Sequence, residues 1–194
     1  MSLFKPAAAL AAAAFSTLAF ANAAEFTVRS GQNLQVPSFD TATDRFLIAT
    51  DSFGFDDSLK FLNTDSNGID DIANLIVLQD SDDDNDMNTV FNARSAARLI
   101  GAGTDVDRDG FFVYYNSALN INRLVYSSNL ADGNASFQII AAILDPTGQN
   151  AIAALPTFTD ANFGQVPVPA AAVLFGGAMA GFGALRRKRA AQNA

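Results

Sequence analysis

The chain has 194 residues, 49% of them hydrophobic, with no cysteine, no histidine and a formal net charge of −8. The missing cysteine excludes a disulfide framework and a thiolate nucleophile, and the missing histidine excludes Ser-His-Asp catalysis, imidazole zinc ligands and the commonest general base. Residues 24–165 hold all 20 acidic residues against seven basic ones, a net of −13, which argues against nucleic acid as a partner, because neutralising phosphates takes a basic face.

The chain opens with MSLFKPAAALAAAAFSTLAFANA, in which Lys5 precedes an apolar run from Ala7 to Phe20 and then the triplet Ala21-Asn22-Ala23. This is the layout of a secretory signal peptide spanning 1–23. The run is shorter than the roughly 20 residues a spanning helix needs. Ala21 and Ala23 supply the small residues of the cleavage site, so the mature chain is expected to begin at Ala24 and to work outside the cytoplasm.

From Ala24 to Gln165 lies one domain's length of chain, long enough to bury roughly two-thirds of its unfolded surface. Short strands are predicted at Phe26–Val28, Arg45–Ala49, Leu59–Leu62 and Leu75–Leu78. One short helix is expected over Ala93–Ile100, stopped by Gly101. Three stronger strand signals follow at Phe111–Tyr115, Leu124–Ser127 and Phe137–Leu144, separated by Asn-rich or Asp-Gly turns, and they read as an antiparallel meander. The expected fold is mainly β, an antiparallel β-sandwich-like single domain. In the aromatic run Phe111-Phe112-Val113-Tyr114-Tyr115, Phe112 is expected to sit deep and both tyrosine hydroxyls to find a rim or a partner.

Three acidic stretches interrupt these strands. Asp105-Val106-Asp107-Arg108-Asp109-Gly110 spells D-x-D-x-D-G, the stretch Asn63-Thr64-Asp65-Ser66-Asn67-Gly68 is its amide-bearing counterpart, and Asp80 to Asp86 reads DSDDDND. Alternate oxygen ligands on a tight loop can converge on Ca²⁺, which makes Asp105, Asp107 and Asp109, and likewise Asn63, Asp65 and Asn67, candidate calcium ligands. An EF-hand is excluded, because the bidentate glutamate due at the twelfth loop position is replaced by Asn116 and Asn74. The competing reading is an Asp/Asn/Gly turn, which these residues form without metal. Arg108 then either turns outward or neutralises a carboxylate.

The chain closes with VPVPAAAVLFGGAMAGFGALRRKRA, Val166 to Ala190. Residues 170–185 carry no charge, and the 20 residues from Val166 reach about 30 Å as a helix, enough to cross a bilayer. The basic cluster Arg186, Arg187, Lys188 and Arg189 stays cytoplasmic under the positive-inside rule. Ahead of the apolar stretch, Val166-Pro167-Val168-Pro169-Ala170 places two prolines where a helix cannot continue.

Pro-x-Pro-Ala, a short glycine-bearing apolar helix and a terminal Arg/Lys cluster together resemble the PEP-CTERM sorting signal, most closely its VPLPA variant, with Val168 in place of leucine. The resemblance covers residues 166–190 and implies an exosortase, a membrane-embedded protease and transpeptidase of Gram-negative bacteria, as processing partner. In the body, Asp109 to Ser117 followed by Asn122 to Ser127 resembles a module carried by other proteins with this tail, to which no activity is attached.

The expected protein is therefore a secreted surface or extracellular-matrix component, structural or adhesive and not an enzyme. It would pass through an inner-membrane-tethered intermediate on its way to the cell surface. Two alternatives stand beside it: a calcium-dependent module binding extracellular polysaccharide, and a glycoside hydrolase working through paired carboxylates.

Overall fold

The computed structural model describes residues 23–166, apart from 83, 85, 87 and 88. Within that stretch the apolar runs become strands β1 (Glu25–Val28), β2 (Leu34–Val36), β3 (Arg45–Ile48), β4 (Phe61–Thr64) and β5 (Leu75–Leu78). After helix α1 (Ala93–Gly103) come β6 (Gly110–Asn116), β7 (Ile121–Ser127) and β8 (Phe137–Thr147), then helix α2 (Gly148–Ala154) and β9 (Phe163–Gln165). They form a three-stranded sheet in the order β1-β3-β9 and a six-stranded sheet in the order β2-β8-β7-β6-β5-β4. The chain is sheet-rich with few helices, a single small domain of two sheets.

The antiparallel expectation needs correction. β6, β7 and β8 do form the antiparallel meander. The other five pairings, β1 with β3, β3 with β9, β2 with β8, β4 with β5 and β5 with β6, are all parallel. The physical reason lies in the connections: a parallel pair needs a crossover, and α1 supplies it between β5 and β6. A second helix, α2, joins the one expected.

The central strands β5 and β6 of the six-stranded sheet are buried on both faces. Phe111, Val113 and Tyr115 of β6 point toward the three-stranded sheet and pack in one core with Leu75, Phe46, Ile48 and Phe158. Phe112 and Tyr114 point the other way, into a second core with Ile76, Leu78 and the α1 residues Ala96 and Ile100. Phe112 is fully buried, as expected of the ring without a polar atom. The tyrosines satisfy their hydroxyls on asparagines: Tyr114 Oη accepts from Asn116 Nδ2 at 3.1 Å, and Tyr115 Oη donates to Asn120 Oδ1 at 3.0 Å.

Helix α1 starts on Asn92, whose side chain accepts from the Arg94 and Ser95 N–H groups at 2.8 and 3.3 Å, an N-cap of the usual kind. It runs through Gly101 instead of stopping there. The glycine serves close approach: a Cβ at Gly101 would meet Ala131 O at 2.8 Å. Gly110 does the same at the head of β6, where a Cβ would meet Asn74 O at 2.5 Å.

Candidate functional site

The loop Asp105–Asp109 leads directly into β6, and its three aspartates point to three different partners. The Asp105 N–H donates to Asp71 Oδ1 at 3.2 Å, an oxygen that also accepts from the Thr104 hydroxyl at 2.8 Å. Asp107 Oδ1 accepts from Asn129 Nδ2 at 2.8 Å, and Asp109 Oδ2 accepts from the Tyr126 hydroxyl at 2.9 Å. Arg108 neutralises none of them; its Nη1 donates to Ile72 O at 2.7 Å. Among the described residues no three carboxylates gather closely enough to hold a metal ion. Asp107 and Asp109 thus hold their carboxylates on Asn129 and on Tyr126 of β7, while Asp105 engages Asp71 through its backbone N–H.

The amide-bearing stretch is likewise bonded within the chain. Asn63, on β4, donates Nδ2 to Leu155 O and Phe158 O, each at 2.9 Å, and accepts from Gln79 Nε2 at 2.9 Å. Asp65 caps a 3-10 turn at Ser66–Gly68 by accepting from the Asn67 N–H at 3.0 Å, so Asn67 enters through its backbone. Asp80 accepts from the Ser66 N–H and hydroxyl. The same two-residue reach recurs at Asp40, Asp70, Asp82, Asp84 and Asp132, each accepting from the N–H two positions on. Such Asx turns account for six of the aspartates without an ion.

At the far end of β6 a hollow of about 240 Å³ is lined by Ser81, Asp82, Thr89, Tyr115, Ser117 and Gln149 among others. Its polar groups are largely committed within the chain. Tyr115 is bonded to Asn120, the Ser117 hydroxyl accepts from the Phe91 N–H at 2.9 Å, and the Thr89 hydroxyl donates to Asp84 at 2.8 Å. Asp82 is the single carboxylate among those lining residues, whereas glycoside hydrolysis takes two flanking the scissile bond.

Sequence reasoning missed two polar centres. Tyr126, beside Phe53 and Phe111, has its hydroxyl pushed up to about 12 by burial and by the hydrogen bond and charge of Asp109. Asp44, 8% exposed, accepts from the Ala24 N–H at 2.8 Å, the Asp40 N–H at 2.9 Å and the Thr43 hydroxyl at 3.2 Å. Burial acts to raise its pKa, and those hydrogen bonds outweigh it and hold the carboxyl below its ordinary value. Nothing in the surrounding sequence distinguishes either residue beforehand.

The expected processing signals fall mostly outside the described residues: Ala21, the motif positions Pro167, Val168, Pro169 and Ala170, the stretch 170–185, and the cluster Arg186 to Arg189. Among the described residues no helix is long and apolar enough to cross a membrane. Two flanking positions are described. Ala23 is exposed, and the Val166 N–H donates to Ile48 O at 2.9 Å, extending the β3–β9 ladder by one bond. Comparison with protein-family models, with curated proteins and with solved structures found no match.

Proposed function

We propose that this chain is an exported surface or extracellular-matrix protein with a structural or adhesive role. Its body is carried between a cleaved signal peptide, 1–23, and a sorting tail, 166–194, cut by an exosortase-type enzyme. The observation that carries the reading is where the first and last strands lie among the described residues. The first strand opens at Glu25, two residues past Ala23, and the last closes at Gln165, one residue before the Val-Pro-Val-Pro-Ala motif.

The interior supports a structural role over a catalytic one. The aromatic run of β6 is spent on two cores, and the aspartates on turns and loop bridges. Replacing both Pro167 and Pro169 with alanine should block processing, so that uncleaved protein accumulates in the inner membrane of the native host. Mass spectrometry of fractionated cells reads the outcome. A double variant that matures and reaches the surface like the parent overturns the proposal.

A further inference from the structure

Asp44 is a buried carboxylate with three hydrogen bonds, and among the described residues no lysine or arginine lies within ion-pair distance of it. The one ion pair nearby, Arg45 with Glu25 at 3.7 Å, lies on the neighbouring strands. A carboxylate held out of water without a cation is costly. The group 2.8 Å from its Oδ1 is the backbone nitrogen of Ala24, the atom that becomes the α-ammonium if the chain is cut after Ala23. We infer that Asp44 is the built receptor for the mature N-terminus, pairing with the Ala24 ammonium that cleavage creates; this rests on the proposed signal-peptide cleavage.

The surroundings fix that nitrogen in place. Ala24 O accepts from the Arg45 N–H at 2.9 Å, so residue 24 is held to β3 just ahead of β1 and cannot swing away from the carboxylate. The Asp44 loop is itself held: its N–H donates to Asp40 O at 2.8 Å, and Asn162 Nδ2 donates to Asp44 O at 2.8 Å. Hydrolysis of the Ala23–Ala24 peptide bond adds water, leaving the new carboxylate on the departing signal peptide and the amine on Ala24. At neutral pH that amine takes up a proton and turns a neutral hydrogen bond into a charge-assisted one, about twice as strong. A cut one residue earlier or later places the cation away from Asp44. Glu25, Arg45, Asp40 and Asp160 are the other ionisable groups on the elements packed here.

The test uses the full-length chain exported by a Gram-negative host. Mass spectrometry identifies its first residue, and limited acylation at pH 7.5 compares the α-amine with exposed Lys60 in the same molecule. An ordinary α-amine, with a pKa near 8 against about 10.4 for lysine, holds roughly a hundredfold more free base and labels correspondingly faster. The ion pair, worth about one pKa unit, predicts that Ala24 outpaces Lys60 only about tenfold, a tenth of the ordinary margin. Asp44→Asn should raise Ala24 labelling about tenfold, the change that one pKa unit gives, with Lys60 unchanged. If that variant fails to fold, the ratio in the parent protein decides alone. A chain beginning elsewhere than Ala24 overturns the cleavage reading and this inference together. A chain beginning at Ala24 whose amine outpaces Lys60 by the ordinary margin overturns only the inference.

Discussion

The two sheets are built on opposite plans. In the six-stranded sheet, β5 and β6 are buried along their whole length, with one core on each face. The three-stranded sheet is one-sided: Val28, Phe46 and Ile48 face inward, while Glu25, Thr27 and Arg45 alternate with inward residues and face out. Its partners also come from far apart in the chain, with Phe46 pairing to both Phe26 and Phe163. A parallel sheet normally has both faces covered. Here the difference separates two duties: the large sheet supplies the stability, and the small one gathers both ends of the folded body beside β3.

The contrast can be broken first at its strongest point. Phe112→Ala empties a fully buried site between β6 and α1 and should cost about 3 to 5 kcal/mol, lowering a single melting transition seen by circular dichroism. Normal secretion with an unchanged melting temperature would mean that the large sheet does not carry the fold.

A smaller and more local loss is expected in the small sheet. Asn162, almost fully buried, donates to Thr41 O and Asp44 O at 2.8 Å each and accepts from the Thr159 N–H. Asn162→Ala leaves those groups without partners, a cost of about 1 to 3 kcal/mol. Hydrogen exchange should show amides of β9 and Val166 opening while those of β6 stay protected, the signature of a sub-global unit. Equal loss of protection in both sheets would show that they unfold as one.

The smallest effect concerns Tyr126, on the side of β7 that meets the aspartate loop. Its raised pKa means that the folded state favours the neutral phenol. Stability from this group is therefore full below the ordinary tyrosine value of 10.0 and falls as pH rises through about 12. Absorbance titration should find one late-ionising tyrosine, and Asp109→Asn should bring it down partway, since burial persists. A full return to 10.0 would mean that burial contributes nothing.

How much of this could be read from the sequence follows from the length and locality of each signal. The meander was legible because the aromatic and β-branched runs are long and their turns local, and Leu75–Leu78 matched β5 to the residue. β2 and β9, three residues each, are too short to show a period of two; they exist because distant strands offer them partners. Helix α2 lacks a side-chain N-cap bond and so carried no start signal. The parallel pairing had one trace, since Leu-Ile-Val-Leu without a polar residue is how a strand covered on both faces reads. The aspartate loops gave ambiguous signals, because residue types that suit a calcium loop also suit an Asx turn. Only the directions of Asp105, Asp107 and Asp109 in space distinguish the two.

The bond from Val166 to Ile48 has a mechanical consequence. Whatever path they take, the four residue steps from Val166 to Ala170 span at most about 14 Å. In a tethered precursor of the kind proposed, the folded body has almost no slack and is pressed against the membrane face where its tail is cut. Slack can come from peeling β9 away from β3, its one strand neighbour among the described residues. Three residues released in that way lengthen the leash by about 10 Å, so this short edge strand also sets how far a processing enzyme can pull the tail before the body must follow.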